Sequence, residues 1–243
     1  MKSGGFTTYN SPSPTAEATP FAPEKALTYE TGVKSDLLGK TLRVNAAAFY
    51  TDYRDQQVQS VFVDPTYGPI GHIVNAPKSH IYGGELEVEA NPIKSVKITQ
   101  GLGYARGEYD QYSAVSSWAQ KGGVWSATTT DLSGRDLGNP KVTYNGSLAY
   151  SWKDDHIQIT PALDYSFRGK QTSSLGTLYN IEQYWLVNAG LTIAPVNASW
   201  SITAFGRNIL NQHYDLERNF FTNANVGYPG EPTTVGLRFK YDY

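Results

Sequence analysis

Apolar and polar side chains alternate with a period of two in segment after segment, almost to the last residue of this 243-residue chain. A strand sends successive side chains to opposite sides, so each such segment has one apolar and one polar face. The C-terminus is the clearest case. Val235, Leu237, Phe239, Tyr241 and Tyr243 share one face, and Thr234, Gly236, Arg238, Lys240 and Asp242 share the other. Tyr144, Leu148, Tyr150 and Trp152 alternate with Thr143, Asn145, Ser147 and Ser151, and Ile157, Ile159, Leu163, Tyr165 and Phe167 with Gln158, Thr160, Asp164 and Arg168. Trp185, Val187 and Leu191 oppose Asn188 and Thr192, while Tyr82, Leu86 and Val88 oppose Glu85, Glu87 and Glu89. Weaker alternation covers 27–34, 42–50, 96–104 and 200–204. About nine strands result, each near the ~10 residues of a tilted membrane-crossing strand. No helical stripe of useful length competes.

The connections alternate as well. Short polar turns are expected at Asp36–Gly39, Asn91–Ser95, Lys153–Asp155 and Pro195–Ala198, with longer Gly- and Ser-rich links near 61–71, 107–139, 173–183 and 213–232. Short turns at one end and long loops at the other describe an outer-membrane barrel, the short turns being periplasmic. The rings sort by height in the same frame. Tyr150, Trp152, Trp200, Tyr241 and Tyr243 fall at the periplasmic rim, and Tyr29, Tyr50, Tyr104, Tyr165, Phe167 and Trp185 at the extracellular rim. Two girdles with aliphatic residues between them suit rings that are apolar in body and polar at one tip. Phe49 breaks the pattern, falling on the polar face of its strand.

Composition removes other classes. A net charge of −2 without charge blocks offers no nucleic-acid footprint. The absence of cysteine excludes disulfide scaffolds, thiolate metal sites and cysteine nucleophiles. No run approaches the ~18–20 apolar residues of a transmembrane helix, and Met1–Phe6 opens no secretory h-region. His72, His80, His156 and His213 have no metal-ligand spacing and read as rim or surface residues. Phosphate-binding glycine motifs and a nucleophile elbow are missing, so neither an enzyme nor a cofactor is indicated. Asp154-Asp155 reads as a turn in which Asp bonds to the backbone.

Short motifs then bring in a family. Pro23-Glu24-Lys25 followed by Tyr29-Glu30-Thr31-Gly32-Val33-Lys34, the strand Phe49 to Gln56, Asn75-Ala76 with Tyr82-Gly83-Gly84-Glu85-Leu86-Glu87, Asn208-Ile209-Leu210-Asn211 with Tyr214, and the ending Gly236 to Tyr243 occur in that order. Together they resemble the C-terminal barrel region of TonB-dependent outer-membrane receptors, over nearly the whole chain. One departure is Thr233, where many members carry a basic residue.

The resemblance implies an all-β, transmembrane antiparallel β-barrel, with residues 1–243 supplying about nine C-terminal strands of a 22-stranded plugged barrel. The plug domain and signal peptide would lie outside this sequence, and Met1 looks like a truncation point. The implied function is TonB-energised uptake of a scarce ligand at the bacterial outer membrane: an iron–siderophore foremost, otherwise cobalamin or a carbohydrate. Implied partners are outer-membrane lipid, the plug, the TonB energy-coupling complex and the barrel-assembly machinery. That machinery would read Gly236, Phe239, Tyr241 and Tyr243.

The lumen face would carry an acidic row, Glu85, Glu87 and Glu89, whose repulsion needs counter-charges from Arg168, Arg207, Arg238, Lys240 and Lys97 or from the plug. Such residues hydrate the lumen and pin a plug. Tyr109, Tyr112, Trp118 and Trp125 fall in the longest link, where aromatics either grip a ligand or pack the loop. Two rival readings are a self-contained ten-stranded barrel acting as pore or anchor, its tenth strand drawn from Gly5–Tyr9, and a soluble β-barrel or sandwich binding carbohydrate.

Overall fold

The computed structural model describes residues 1–7, 19–172, 180–221 and 224–242. Among them sixteen strands follow in chain order: β1 (Gly5–Phe6), β2 (Pro20–Phe21), β3 (Lys25–Leu37), β4 (Leu42–Asp64), β5 (Gly68–Ala90), β6 (Val96–Gln111), β7 (Ser113–Lys121), β8 (Val124–Asp131), β9 (Val142–Tyr150), β10 (Trp152–Lys153), β11 (Ile157–Arg168), β12 (Tyr184–Pro195), β13 (Trp200–Arg207), β14 (Asp215–Phe221), β15 (Ala224–Pro229) and β16 (Thr234–Tyr241). Nine of them form one antiparallel meander in the order β16-β13-β12-β11-β9-β6-β5-β4-β3. All nine segments expected from the alternation overlap these strands, although Trp152 falls in β10 and Tyr243 lies outside the described residues. The tenth does not. β1 pairs with β2 in a separate two-stranded sheet and does not join the meander.

Cross-strand register carries each face across the sheet, because directly opposed residues point to the same side. Lys34, Asn45, Glu87, Gly101, Asn145 and Ser166 oppose one another in sequence across six strands. Next to them Val33, Ala46, Leu86, Leu102, Tyr144, Phe167 and Trp185 form a row across seven. The apolar face is open, not packed: Leu86 is 39% exposed, Leu102 45% and Leu237 77%. A sandwich or a small soluble barrel turns such a face inward. A contiguous exposed apolar face that extends across so many strands marks a surface that meets a partner or a membrane.

Aromatic rings border this face at both ends. Tyr29, Tyr50 and Tyr82 are direct cross-strand neighbours, and Tyr144, Phe167 and Trp185 pack in a continuing cluster with ring centroids 5.0–6.0 Å apart. At the opposite end Trp200 pairs with Tyr241 and stacks on Phe239, with Tyr150 paired to Val96.

Two phenylalanines sit on the polar face, each over a glycine. A Cβ on Gly83 would come within 2.9 Å of the Phe49 ring, and one on Gly236 within 2.7 Å of Phe205. Each ring occupies the space left by the missing side chain, which resolves the anomaly at Phe49. Gln100 is the reverse case, a polar residue in the apolar row. Its amide donates to the Tyr165 hydroxyl at 2.7 Å and accepts from Tyr144. The Tyr165 ring and the Gln100 amide meet over Gly146, which has no side chain to obstruct them.

The four short turns expected from the sequence lie at one end. At β10–β11, Asp154 Oδ1 accepts from the amides of His156 and Ile157 at 2.7 and 2.8 Å, which holds its carboxyl below the usual range. Between β3 and β4 the chain reverses through Leu38, Gly39 and Lys40, all with positive φ. Three of the expected links at the other end are more regular than their composition implies, while residues 173–179 of the fourth lie outside the described residues. The expected 61–71 link is strand except for a Pro65–Tyr67 turn, 107–139 contains the β7–β8 hairpin, and 213–232 contains β14–β15. At ~3.3 Å per residue, the 23 residues of β4 reach roughly 75 Å, far beyond a ~25 Å apolar band.

Candidate functional site

The polar face and its long-link end hold most of the charged and aromatic residues singled out in the sequence. Alternation puts Glu85, Glu87 and Glu89 on one side of β5, about 7 Å apart along the strand. Each has a different environment. Lys97 Nζ lies 3.3 Å from Glu89, and Asn45 donates to Glu87 at 3.3 Å. Among the described residues no hydrogen bond or ion pair engages Glu85.

The other expected counter-charges do not reach this row. Arg168 is on β11, three strands from β5, while Arg207 lies on β13 and Arg238 and Lys240 on β16. Arg207 and Arg238 instead place their guanidinium carbons 5.7 and 5.6 Å from the centre of the Phe205 ring. Lys240 pairs with Asp242 at 2.8 Å. The wall is therefore divided, with an acidic excess on β3–β5 and a basic one on β11–β16. Alternation alone does not show this division, because it gives the face of a residue and not its neighbours across the sheet.

At the long-link end, three of the family-like motifs become hydrogen-bonded clips. Glu24 Oε2 accepts from the Gln57 amide at 2.9 Å, and the Gln57 side chain donates back to Ser3 and Ala22 carbonyls. Asn75 binds Ala22 through both amide atoms and also donates to Asp55 O at 2.7 Å. Asn208, 4% exposed and at φ +46°, donates to Gln212 O and Glu231 O and accepts from the Gln212 amide. Thr233, the departure from the family pattern, donates to Asn208 O at 2.6 Å and so belongs to the same clip. These polar residues tie segments that the strand ladder cannot reach.

Tyr109 and Tyr112 are each 7% exposed and pack at 4.7 Å in a cluster with Ala76 and Leu132. Burial pushes the Tyr109 phenol up to about 12. In this arrangement little of either ring is open to a ligand. Trp118 and Trp125 lie on the β7–β8 hairpin, and Trp125 covers the β4–β5 turn, its amide donating to Pro65 O at 2.9 Å. Two histidines are less exposed than expected. His72 is 6% exposed and bonded to Thr7, with burial lowering its pKa. His80 bonds Asp110 at 2.8 Å between the Tyr50 and Tyr82 rings. Among the described residues no three His, Asp or Glu side chains converge as a metal site. Of the terminal residues, Gly236 lies under Phe205, Phe239 and Tyr241 are exposed on the apolar face, and Tyr243 lies outside the described residues.

Known proteins share this arrangement. The family model for the TonB dependent receptor-like β-barrel matches residues 3–209. The catecholate siderophore receptor Fiu of Escherichia coli K12 is 27% identical over 232 residues, covering 91% of this chain and 26% of its own length. The chain thus spans about a quarter of the length of the curated relatives it matches. The ferric yersiniabactin uptake receptor FyuA of Yersinia pestis superposes with a TM-score of 0.77 at 18% identity, over 100% of this chain and 33% of its own. The copper transporter OprC gives 0.68 at 15% identity, over 99% and 35%. With its open apolar face, its aromatic borders and a family match over most of its length, this chain belongs to the TonB-dependent receptor β-barrel family.

Proposed function

We propose that the chain is the C-terminal portion of the barrel of an outer-membrane receptor that takes up a scarce ligand, an iron–siderophore foremost, with energy supplied through TonB. In this reading the apolar face meets lipid, the polar face lines the lumen, and the long-link end is extracellular. The remaining strands, of 22 in all, and a plug complete the protein. The carrying observation is the single-layer sheet, whose open apolar face is bordered by aromatic rows and backed by a charged polar face. Both the siderophore relative Fiu and the fold match to FyuA support this ligand class. The split wall suits contact with a plug of mixed charge, Glu85 being free to receive a cation from it. The exposed strand β16 is the segment the assembly machinery would read.

The test is uptake of labelled ferric siderophores by cells that have the full-length receptor as their sole siderophore receptor. Accumulation that needs TonB supports the proposal. Ligand entry at the same rate without TonB would indicate a passive pore instead.

A further inference from the structure

The four histidines have different surroundings. His156 and His213 are exposed, and His80 has Asp110 at 2.8 Å to balance a positive charge. His72 is closed off from solvent, at 6% exposure. Its Nδ1 lies 3.1 Å from the hydroxyl of Thr7, which is equally buried and 65 residues earlier in the chain. The Ile73 amide donates to the same hydroxyl oxygen at 3.1 Å. The Thr7 proton is therefore directed to Nδ1, and the neutral imidazole keeps its own proton on Nε2. Thr7 follows β1, which forms a strap with β2 through their ladder and the Lys2–Glu24 bridge. Gln57 and Asn75 fasten the same strap to the arm made of β4 and β5. Those clips are amide–carbonyl bonds and do not titrate.

The ionisable groups on the elements around His72 are occupied elsewhere or distant along their strands. The strap brings Lys2 and Glu24, and Glu24 accepts from the Gln57 amide. β4 brings Arg54, Asp55 and Asp64, and Asp64 accepts from the Thr66 and Tyr67 amides at the turn. β5 has no other ionisable side chain between Gly68 and Asn75, while β7 and β8 carry only Lys121 and Asp131, each at a strand end. Across the ladder His72 faces Ser60, which bonds the Tyr112 phenol, and the Phe62 ring lies 6.3 Å away. Among the described residues no carboxylate contacts the imidazole. A proton on Nδ1 would compete with the Ile73 amide for the Thr7 oxygen and leave the hydroxyl proton without its acceptor. It would also bury a cation without a counter-charge, which is costly. We propose that His72 and Thr7 form an acid-sensitive latch, which holds the end of the β1–β2 strap on the β4–β5 arm at neutral pH and releases it when the imidazole is protonated. Burial lowers the pKa of the latched imidazole, and release returns it toward the ordinary ~6.5. The latched form thus binds fewer protons, so docking is at full strength above about pH 6.5 and is lost as pH falls from there through the lowered value. The latch depends neither on the ligand nor on the membrane orientation proposed above.

Amide hydrogen exchange of the full-length receptor in detergent, read by mass spectrometry at pH 7.5 and 5.5 and corrected for the intrinsic pH dependence of exchange, tests the latch. Both values lie above the ordinary carboxylate range, so histidine is the side chain that titrates between them. Protection of residues 1–7 and 70–76 should fall about 3- to 10-fold at pH 5.5, the upper figure being the limit for a group of ordinary pKa ~6.5 that is neutral when latched. Protection of β9 should not change, which separates opening of the latch from unfolding of the barrel. The fall should survive His80→Gln and disappear in His72→Gln. Should His72→Gln not fold, Thr7→Val keeps the imidazole but removes its partner, and protection should then be low already at pH 7.5 and flat with pH. A fall smaller than about 3-fold in the wild type overturns the proposal. So does a wild-type fall in folded His72→Gln or Thr7→Val, or one that His80→Gln abolishes.

Discussion

The ring of Phe205 lies across Gly236 on the polar face, where any β-carbon would meet it at 2.7 Å. Arg207 and Arg238 flank the same ring within 6 Å, so a glycine on β16 positions two cations of the polar face through one aromatic. Gly236→Val should displace the ring and cost about 1–3 kcal/mol, as overpacking does. Phe205→Ala in the same chain should recover much of that cost, because the two sites are in contact and do not add. Chemical unfolding of the full-length barrel in detergent measures both. Additive losses would show that the two residues are energetically independent.

Asn208 holds the return from β13 to β16 with three side-chain hydrogen bonds in a nearly closed site. Asn208→Ala should cost about 1–3 kcal/mol by leaving part-buried backbone groups of Gln212 and Glu231 unpaired. Asn208→Gly relieves the positive φ and should fall between Ala and wild type. Asn208→Asp should be the worst of the three, since its carboxylate would face the carbonyls of Gln212 and Glu231. An Asp variant as stable as wild type would contradict the clip.

Neighbouring residues on β9 separate the two faces. Leu148 is 45% exposed on the apolar face, while Ser147 bonds Thr99 on the polar one. Leu148→Arg, two residues inside the Tyr150 border, should cost between the ~1 kcal/mol of an interface and the ~2–4 kcal/mol of the bilayer midplane, and Ser147→Arg at most about the ~1 kcal/mol of one hydrogen bond. Refolding into lipid vesicles gives the comparison, and equal penalties would remove the distinction between faces.

High pH probes the cluster at the long-link end. The Tyr109 phenol, raised to about 12 from an ordinary 10, keeps its proton in the folded protein after an unfolded chain has lost it. Its contribution is therefore fully present below pH 10 and is lost as pH rises from 10 to 12. Ultraviolet titration of wild type against Tyr109→Phe should show one late-ionising phenol missing from the variant. Identical curves would mean that Tyr109 is solvated.

Nine strands, the polarity of their faces and both aromatic borders were legible in the sequence, because period-two alternation is a property of single strands. What it left out depends on neighbours. Phe49 and Phe205 are intelligible only when Gly83 and Gly236 lie opposite them, and Gln100 only with Tyr144 and Tyr165 across Gly146. The acidic row was recognised, but the strand order decides that Lys97 reaches it and Arg168 does not. Gly- and Ser-rich composition concealed the hairpins at the long-link end, since exposed hairpins need no apolar face. The roles of Asn75 and Asn208 were visible only as family resemblance, because a clip has no periodicity.

The central claim is that odd-numbered residues of the last strand face lipid and even-numbered ones the lumen. Spin labels placed singly at 235, 237, 239 and 241, and at 236, 238 and 240, in the full-length receptor in bilayers measure it through relaxation by oxygen and by a water-soluble nickel complex. The account predicts oxygen-dominated relaxation at the odd positions and nickel-dominated relaxation at the even ones, alternating along the strand. The opposite alternation, or none, would contradict it.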